Sequence, residues 1–142
     1  MPKTINVFVS QPMHGRDINE IIEERGFMLK EFKLWGVEAG IISYDDVIKD
    51  CNSGFDAPAT DSSCGRCWYL GRSIQAMDDA DFVIFHKDYR KATGCQVEMA
   101  VASRYFQNMV HTSEKCHWGG GVITPLIGNI YFNKLTKDAQ DT

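Results

Sequence analysis

"DFVIFHKDYRKATGCQVEMAVASRYF", residues 81–106, is the stretch on which the reading of this chain turns. Its first five residues, Asp81 to Phe85, lack the apolar–polar alternation of a half-exposed strand and read as a strand covered on both faces. A short polar connection follows. Thr93 and Gln96 then form a Thr-x-x-Gln capping box that starts a helix, with Gly94 at its opening and Glu98 in its first turns. A covered strand feeding a helix is the unit from which parallel sheets are built.

Upstream, the same unit recurs. "INVFVS" (5–10) is a short β-branched strand, broken by Pro12 and Gly15 in "QPMHGR". From Asp17 the apolar residues Ile18, Ile21, Ile22, Met28, Leu29, Phe32 and Trp35 recur at three- and four-residue steps, which predicts a helix. Asp17 with Glu20 is a variant capping box, and Gly36 is placed to close the helix. "VEAGIISY" (37–44), interrupted by Gly40, reads as a second strand, and "WYLGRSIQAMDDA" (68–80) as a second helix. Between them, 50–67 is rich in Gly, Pro, Ser and Asp and reads as a loop insertion. Beyond Phe106, "MVHT" and "GVIT" read as two further strands flanking "SEKCHWGG", and "LIGNIYFNKL" reads equally as helix or strand. The expectation is an α/β three-layer sandwich with a mainly parallel central sheet of about five strands.

Composition sets the outer bounds. The 142 residues fit one domain spanning 1–142, with 44% hydrophobic and 24% charged residues, ordinary for a globular chain. A formal charge of −4 argues against duplex nucleic acid, whose phosphates require clustered Lys and Arg, and leaves small nucleotides open. There is no basic start leading into an apolar run with a cleavage site, and no run approaches the roughly 20 apolar residues of a membrane span. A cytoplasmic protein with no membrane partner is therefore expected. Five cysteines, an odd number, favour reduced thiols. Cys64 and Cys67 have the spacing of half a zinc site, with Cys116 and His117 as a distant second half, against which stands the reading of plain loop thiols. The site reading itself requires neither metal nor cofactor.

In open α/β sheets, ligands collect outside the carboxyl ends of the strands, where helix N-termini face the crevice. The Ser10–Arg16 loop and the 86–94 connection both lie at such ends. Ser10 offers a hydroxyl, Gly15 allows backbone to approach a phosphate, and Arg16 is a forked cation at a helix start. The same residues also make an ordinary strand-to-helix turn. Glu98 likewise has two readings. It is either a surface acid complementing the helix dipole, or a carboxylate kept ionised by that dipole and able to attack the anomeric carbon of a sugar.

Three segments in this order and spacing, "VFVSQPMHGRD", "WYLGRSIQAMDDADFVIF" and "GCQVEMAVA", resemble the nucleoside 2-deoxyribosyltransferase-like superfamily. The resemblance is closer to its small Gln-Pro-Met-x-Gly branch, related to 2'-deoxynucleoside 5'-phosphate N-hydrolases. It covers residues 5–106 apart from the insertion. It implies a Rossmann-like sheet, Glu98 as nucleophile, and a nucleotide-embracing loop formed by Ser10, Gln11, Met13, His14, Gly15 and Arg16, with Arg72 and Gly94 lining the same crevice. Relatives carry an acid on the preceding helix where Ser73 stands here, and a serine can hydrogen-bond but cannot act as a carboxylate. Asp88, in the connection before Glu98, is the candidate to supply the acid instead. The implied activity is cleavage of the N-glycosidic bond of a nucleoside or nucleoside 5'-monophosphate through a glutamyl-glycosyl intermediate, by hydrolysis or base exchange. The alternative is a non-catalytic nucleotide-binding module of the same fold. Trp118, Tyr131 and Phe132, which have no evident place in the sheet, point with the resemblance to a homodimer or larger homo-oligomer.

Overall fold

The structure, a computed structural model, describes residues 2–52, 65–112, 116–118, 121–123 and 126–133. Its strands are β1 (Thr4–Ser10), β2 (Val47–Asp50), β3 (Phe82–His86), β4 (Asn108–His111), β5 (Cys116–Trp118), β6 (Gly121–Ile123) and β7 (Ile127–Phe132). Its helices are α1 (Ile18–Glu38), α2 (Arg66–Ala76) and α3 (Thr93–Tyr105), with short 3-10 turns at Met77–Asp79 and Tyr89–Lys91. Five strands form an open sheet in the order β2-β1-β3-β7-β4, and β5 and β6 form a separate antiparallel hairpin.

The sheet is mixed, which corrects the expectation of a mainly parallel one. β1 pairs in parallel with β2 and β3, whereas β7 is antiparallel to both β3 and β4. Parallel neighbours require a long crossover, which α1 provides between β1 and β2 and α2 between β2 and β3. The last strand instead follows a hairpin, and it returns in the opposite direction. β7 is buried from Ile127 to Tyr131, as an interior strand must be, while the burial of β4 alternates as at an edge. The ambiguous "LIGNIYFNKL" is thus a strand over 127–132, and the "GVIT" strand belongs to the hairpin rather than to the main sheet.

The strand faces divide the core in two. Ile5, Val7, Val9, Phe82, Ile84 and Ile130 pack under Met28 and Phe32 of α1. Phe8, Val83, Phe85 and Tyr131 pack on the opposite side with Met77 and Ala102. Tyr131 meets Phe85 edge-on at 5.6 Å and Phe132 lies 5.7 Å from Phe82, so both aromatics have places inside the chain's own core. That removes them as an argument for a second copy; the side chain of Trp118 lies outside the described residues. Among the described residues, no helix is long and apolar enough to cross a membrane.

Helix α1 begins as read, with Asp17 at the N-cap accepting from the Glu20 amide at 3.3 Å. It does not stop at Gly36. It runs to Glu38, and the chain turns at Gly40, whose φ is +75°. The predicted strand 37–44 is therefore helix end and turn; Val37, Ile41 and Ile42 pack on the core without joining the sheet, and β2 begins at Val47. Gly36 is needed for closeness rather than for its φ, because an added Cβ would collide with the Ile42 side chain, reaching within 2.9 Å of its Cγ1. The predicted 50–67 insertion is trimmed at both ends by β2 and α2, and its residues 53–64 lie outside those described.

Alanine is the better helix former by about 1 kcal/mol, while overpacking a tight contact costs about 1–3 kcal/mol. Gly36→Ala is expected to destabilise the protein, and Ile42→Ala to remove that penalty. A double-mutant cycle from urea unfolding should give a coupling of about 1 kcal/mol or more; additive effects would contradict the packing described.

Candidate functional site

The inward stripe of α3 is Cys95, Glu98 and Ala102, spaced three and four apart and all buried. Glu98 is 8% exposed, which excludes the reading of a solvated surface acid. Strand alternation directs Phe8 and Ser10 of β1 to the same side of the sheet as α3. The Ser10 hydroxyl donates to Glu98 Oε1 at 2.6 Å, across 88 residues of sequence. Ser73, from α2, is close enough for its hydroxyl to favour the ionised form of the same carboxylate. Three segments thus meet at one acid: the end of β1, the middle of α2 and the second turn of α3.

Burial pushes the Glu98 carboxyl up to about 7, against the opposing pull of Ser10, Ser73 and the more distant charge of Arg25. This reverses the direction expected from the helix dipole. Glu98 is the sixth residue of α3, beyond the first turn in which the dipole acts most strongly, and that effect is worth about 0.3–2 kcal/mol. A rise from 4.5 to about 7 corresponds to about 3 kcal/mol against the ionised form, so desolvation prevails. The Cys95 thiol, near Ser10, is also raised by burial, to about 11, and stays protonated near neutrality. The helix start departs from the sequence reading too. Ala92 occupies the cap with no side-chain bond, Thr93 is already helical, and Gln96 donates to the Arg90 carbonyl at 2.6 Å.

A polar network completes the carboxyl end of the sheet. Arg25, buried on α1, donates to Gln11 Oε1 at 3.0 Å and to Asp50 Oδ1 at 2.9 Å, and also bonds the Asn52 side chain. The Asn52 amide in turn bonds both the N–H and the carbonyl of Val9, at 3.0 and 2.9 Å. One guanidinium therefore ties the ends of β1 and β2 to α1. Beside it, Glu24 accepts two bonds from Arg16, at 2.9 and 3.1 Å, and one from Gln11 at 3.0 Å. His86, the last residue of β3, accepts the Asp88 amide on Nδ1 at 3.0 Å, which leaves its proton on Nε2. That nitrogen is 3.2 Å from Glu24 Oε2 but misaligned, so the buried donor has no well-formed bond. Burial holds His86 below its ordinary value although Glu24 and Asp88 pull the other way.

The structure brings Ser10, Ser73 and Glu98 together, with Gln11 adjoining. Gly15 has a φ of +74°, as a turn of this kind demands, and Met13 is half-buried while His14 is exposed. Arg16 is engaged by Glu24 rather than open to the crevice. Arg72 is exposed, its guanidinium 5.2 Å over the Trp68 ring, and Gly94 has open space where a Cβ would stand. Asp88 faces Lys91 at 3.6 Å and His86 at 4.0 Å, with a side chain 41% exposed. Arg25, Glu24 and His86 escaped the sequence reading. Arg25 had a signal, since it falls on the apolar stripe Ile21, Met28, Phe32. Of the zinc candidates, Cys64 and the side chains of Cys116 and His117 lie outside the described residues, and among the described residues no group of three or more metal-binding side chains is present. Two open grooves lie elsewhere, one lined by Leu29, Lys33 and Val47 and the other by Asn6, Asp50 and Asp79; neither includes Glu98.

Comparison of the chain with protein-family models, with curated proteins and with solved structures gives no match.

A raised carboxyl favours folding where it is protonated. The contribution is fully present below about 4.5 and is lost as pH rises through about 7. Glu98→Gln should therefore be more stable than the parent at pH 8, by up to about 3 kcal/mol, with the difference shrinking toward pH 4.5. Urea unfolding across this range checks it; a pH-independent difference would show that Glu98 titrates normally.

Proposed function

We propose that the protein cleaves the N-glycosidic bond of a nucleoside or nucleoside 5'-monophosphate, with Glu98 as the nucleophile that carries the sugar before water or a second base receives it. The observation that carries this reading is the buried Glu98 carboxyl, held by the Ser10 hydroxyl at the end of β1 and raised to about 7. Strongly perturbed acids cluster at functional sites, where burial is used to tune a working group. Near neutrality a substantial share of Glu98 is ionised and poorly solvated, which suits attack on an anomeric carbon. The Ser10 hydroxyl engages Oε1, which leaves Oε2 as the oxygen to attack the sugar. The resemblance of residues 5–106 to the nucleoside 2-deoxyribosyltransferase-like superfamily, with its Rossmann-like architecture, supplies the substrate class.

A binding module of the same fold is the second reading, and Ser73 favours it. Glu98 is the one acid that the described contacts bring to Ser10, and Asp88, in the connection before α3, is the candidate to give the leaving base its proton.

Incubation with a panel of nucleosides and 5'-monophosphates, followed by chromatography for free base, separates the two. Turnover is expected, rising with pH through about 7 as the Glu98 carboxylate forms. Glu98→Gln should lower it by about a thousandfold or more. Ligand binding without base release would favour the module.

A further inference from the structure

We propose that Glu24 is a specificity-determining carboxylate. By holding Arg16 in a closed fork it turns the loop between β1 and α1 against phosphate, so that the site takes the uncharged nucleoside in preference to its 5'-monophosphate. The inference rests on the nucleoside-type reading above and decides between its two substrate classes.

Arg16 is the cation that the sequence places for a phosphate, and its donors are already engaged. Nη1 donates to the Pro12 carbonyl at 2.8 Å and to Glu24 Oε1 at 2.9 Å, while Nη2 donates to Glu24 Oε2 at 3.1 Å. Glu20 stands a further 3.7 Å from Nη2. Parallel donation from two nitrogens is the geometry that a phosphate would need, and a carboxylate occupies it. To bind a phosphate dianion, Arg16 would have to leave Glu24, whose side chain is only 17% exposed, and leave it facing the incoming charge.

Among the described residues, no cation other than Arg16 pairs with Glu24 to offset that loss. Gln11 contributes one neutral hydrogen bond. His86, from β3, lies against the carboxylate but is held neutral by burial. On the neighbouring elements, Arg25 is matched by Asp50, and Lys91 by Asp88. Glu20 and Glu98 add negative charge to the same end of the sheet. Although burial acts to raise it, the bond from Arg16, the His86 imidazole once acid has charged it, and the bond from Gln11 hold Glu24 below the ordinary carboxylate value, so acid does not readily open the fork. A field of this sign disfavours a phosphate and leaves a neutral sugar unaffected.

The test needs no turnover. The Arg16 side-chain N–H and the amides of 11–16 are followed by NMR at pH 7.5 while inorganic phosphate or ribose 5-phosphate is added. The parent is expected to show no saturable shift in the millimolar range. Glu24→Gln, which keeps an acceptor for Arg16 but removes the charge, should bind about tenfold tighter or better. Adding Arg16→Gln to that variant should abolish the gain, and thermal unfolding of each variant confirms that it is folded. In parallel, the ratio of nucleoside to monophosphate affinity should favour the nucleoside by about tenfold in the parent and fall by a similar factor in Glu24→Gln. Phosphate binding to the parent through Arg16, as tight as in Glu24→Gln, would overturn the proposal. Failure to release base from any nucleoside would count against the glycosidase reading alone, because the phosphate titration decides the role of Glu24 independently.

Discussion

The hydrogen bond from Ser10 to Glu98 is the contact on which the site depends. It joins the end of β1 to α3 and forms only if β1 and β3 keep their register, Ser10 beside Phe85, while α3 turns Cys95, Glu98 and Ala102 inward. A one-residue slip of β1 would direct Ser10 to the α1 face and bring Val9 against the carboxylate. Burying an acid there is unfavourable, by about 3 kcal/mol when it is ionised, and the two hydroxyls recover only part of that. The surrounding core, with Phe8, Val83 and Phe85 fully buried, keeps the group in place despite the cost.

The opposite face of the same sheet end solves a related problem differently. There the acids are matched by guanidinium groups, Asp50 by Arg25 and Glu24 by Arg16. Forked pairs of this kind fix side-chain and backbone positions. Glu98 has no such partner in its described contacts, only hydroxyls and a distant Arg25. The contrast separates acids held by cations from Glu98, whose carboxyl burial raises to about 7. Glu31 on α1 is also raised by burial, but it accepts the amides of Leu126 and Ile127 at 2.9 and 3.1 Å and anchors the start of β7.

Much of this was legible in the sequence, for identifiable reasons. β3 was plain because five apolar or covered residues in a row have few other uses, and the start of α1 because Asp17 caps it locally. The second strand was misplaced because Val37, Ile41 and Ile42 are apolar for packing rather than pairing, a distinction the pattern does not carry. Thr93 fits a capping box equally well one position inside the helix. The helix start and the resemblance of "GCQVEMAVA" marked Glu98, but the direction of its shift did not follow, since desolvation depends on Ser10 and α2 arriving from elsewhere in the chain. The Glu24–Arg16 fork lies eight residues apart and its partner His86 lies on β3, so sequence spacing alone left Arg16 reading as an open cation.

The central claim, that Glu98 attacks a sugar carbon, is tested most directly by trapping the intermediate. A 2-fluoro nucleoside analogue slows both formation and hydrolysis of a glycosyl ester, because fluorine destabilises oxocarbenium-like transition states. Incubation followed by peptide mass spectrometry should find the fluorosugar mass on the peptide spanning 91–106, localised to Glu98 and absent from Glu98→Gln. Release of the base with no adduct on Glu98, or with inverted configuration at the anomeric carbon, would contradict the account.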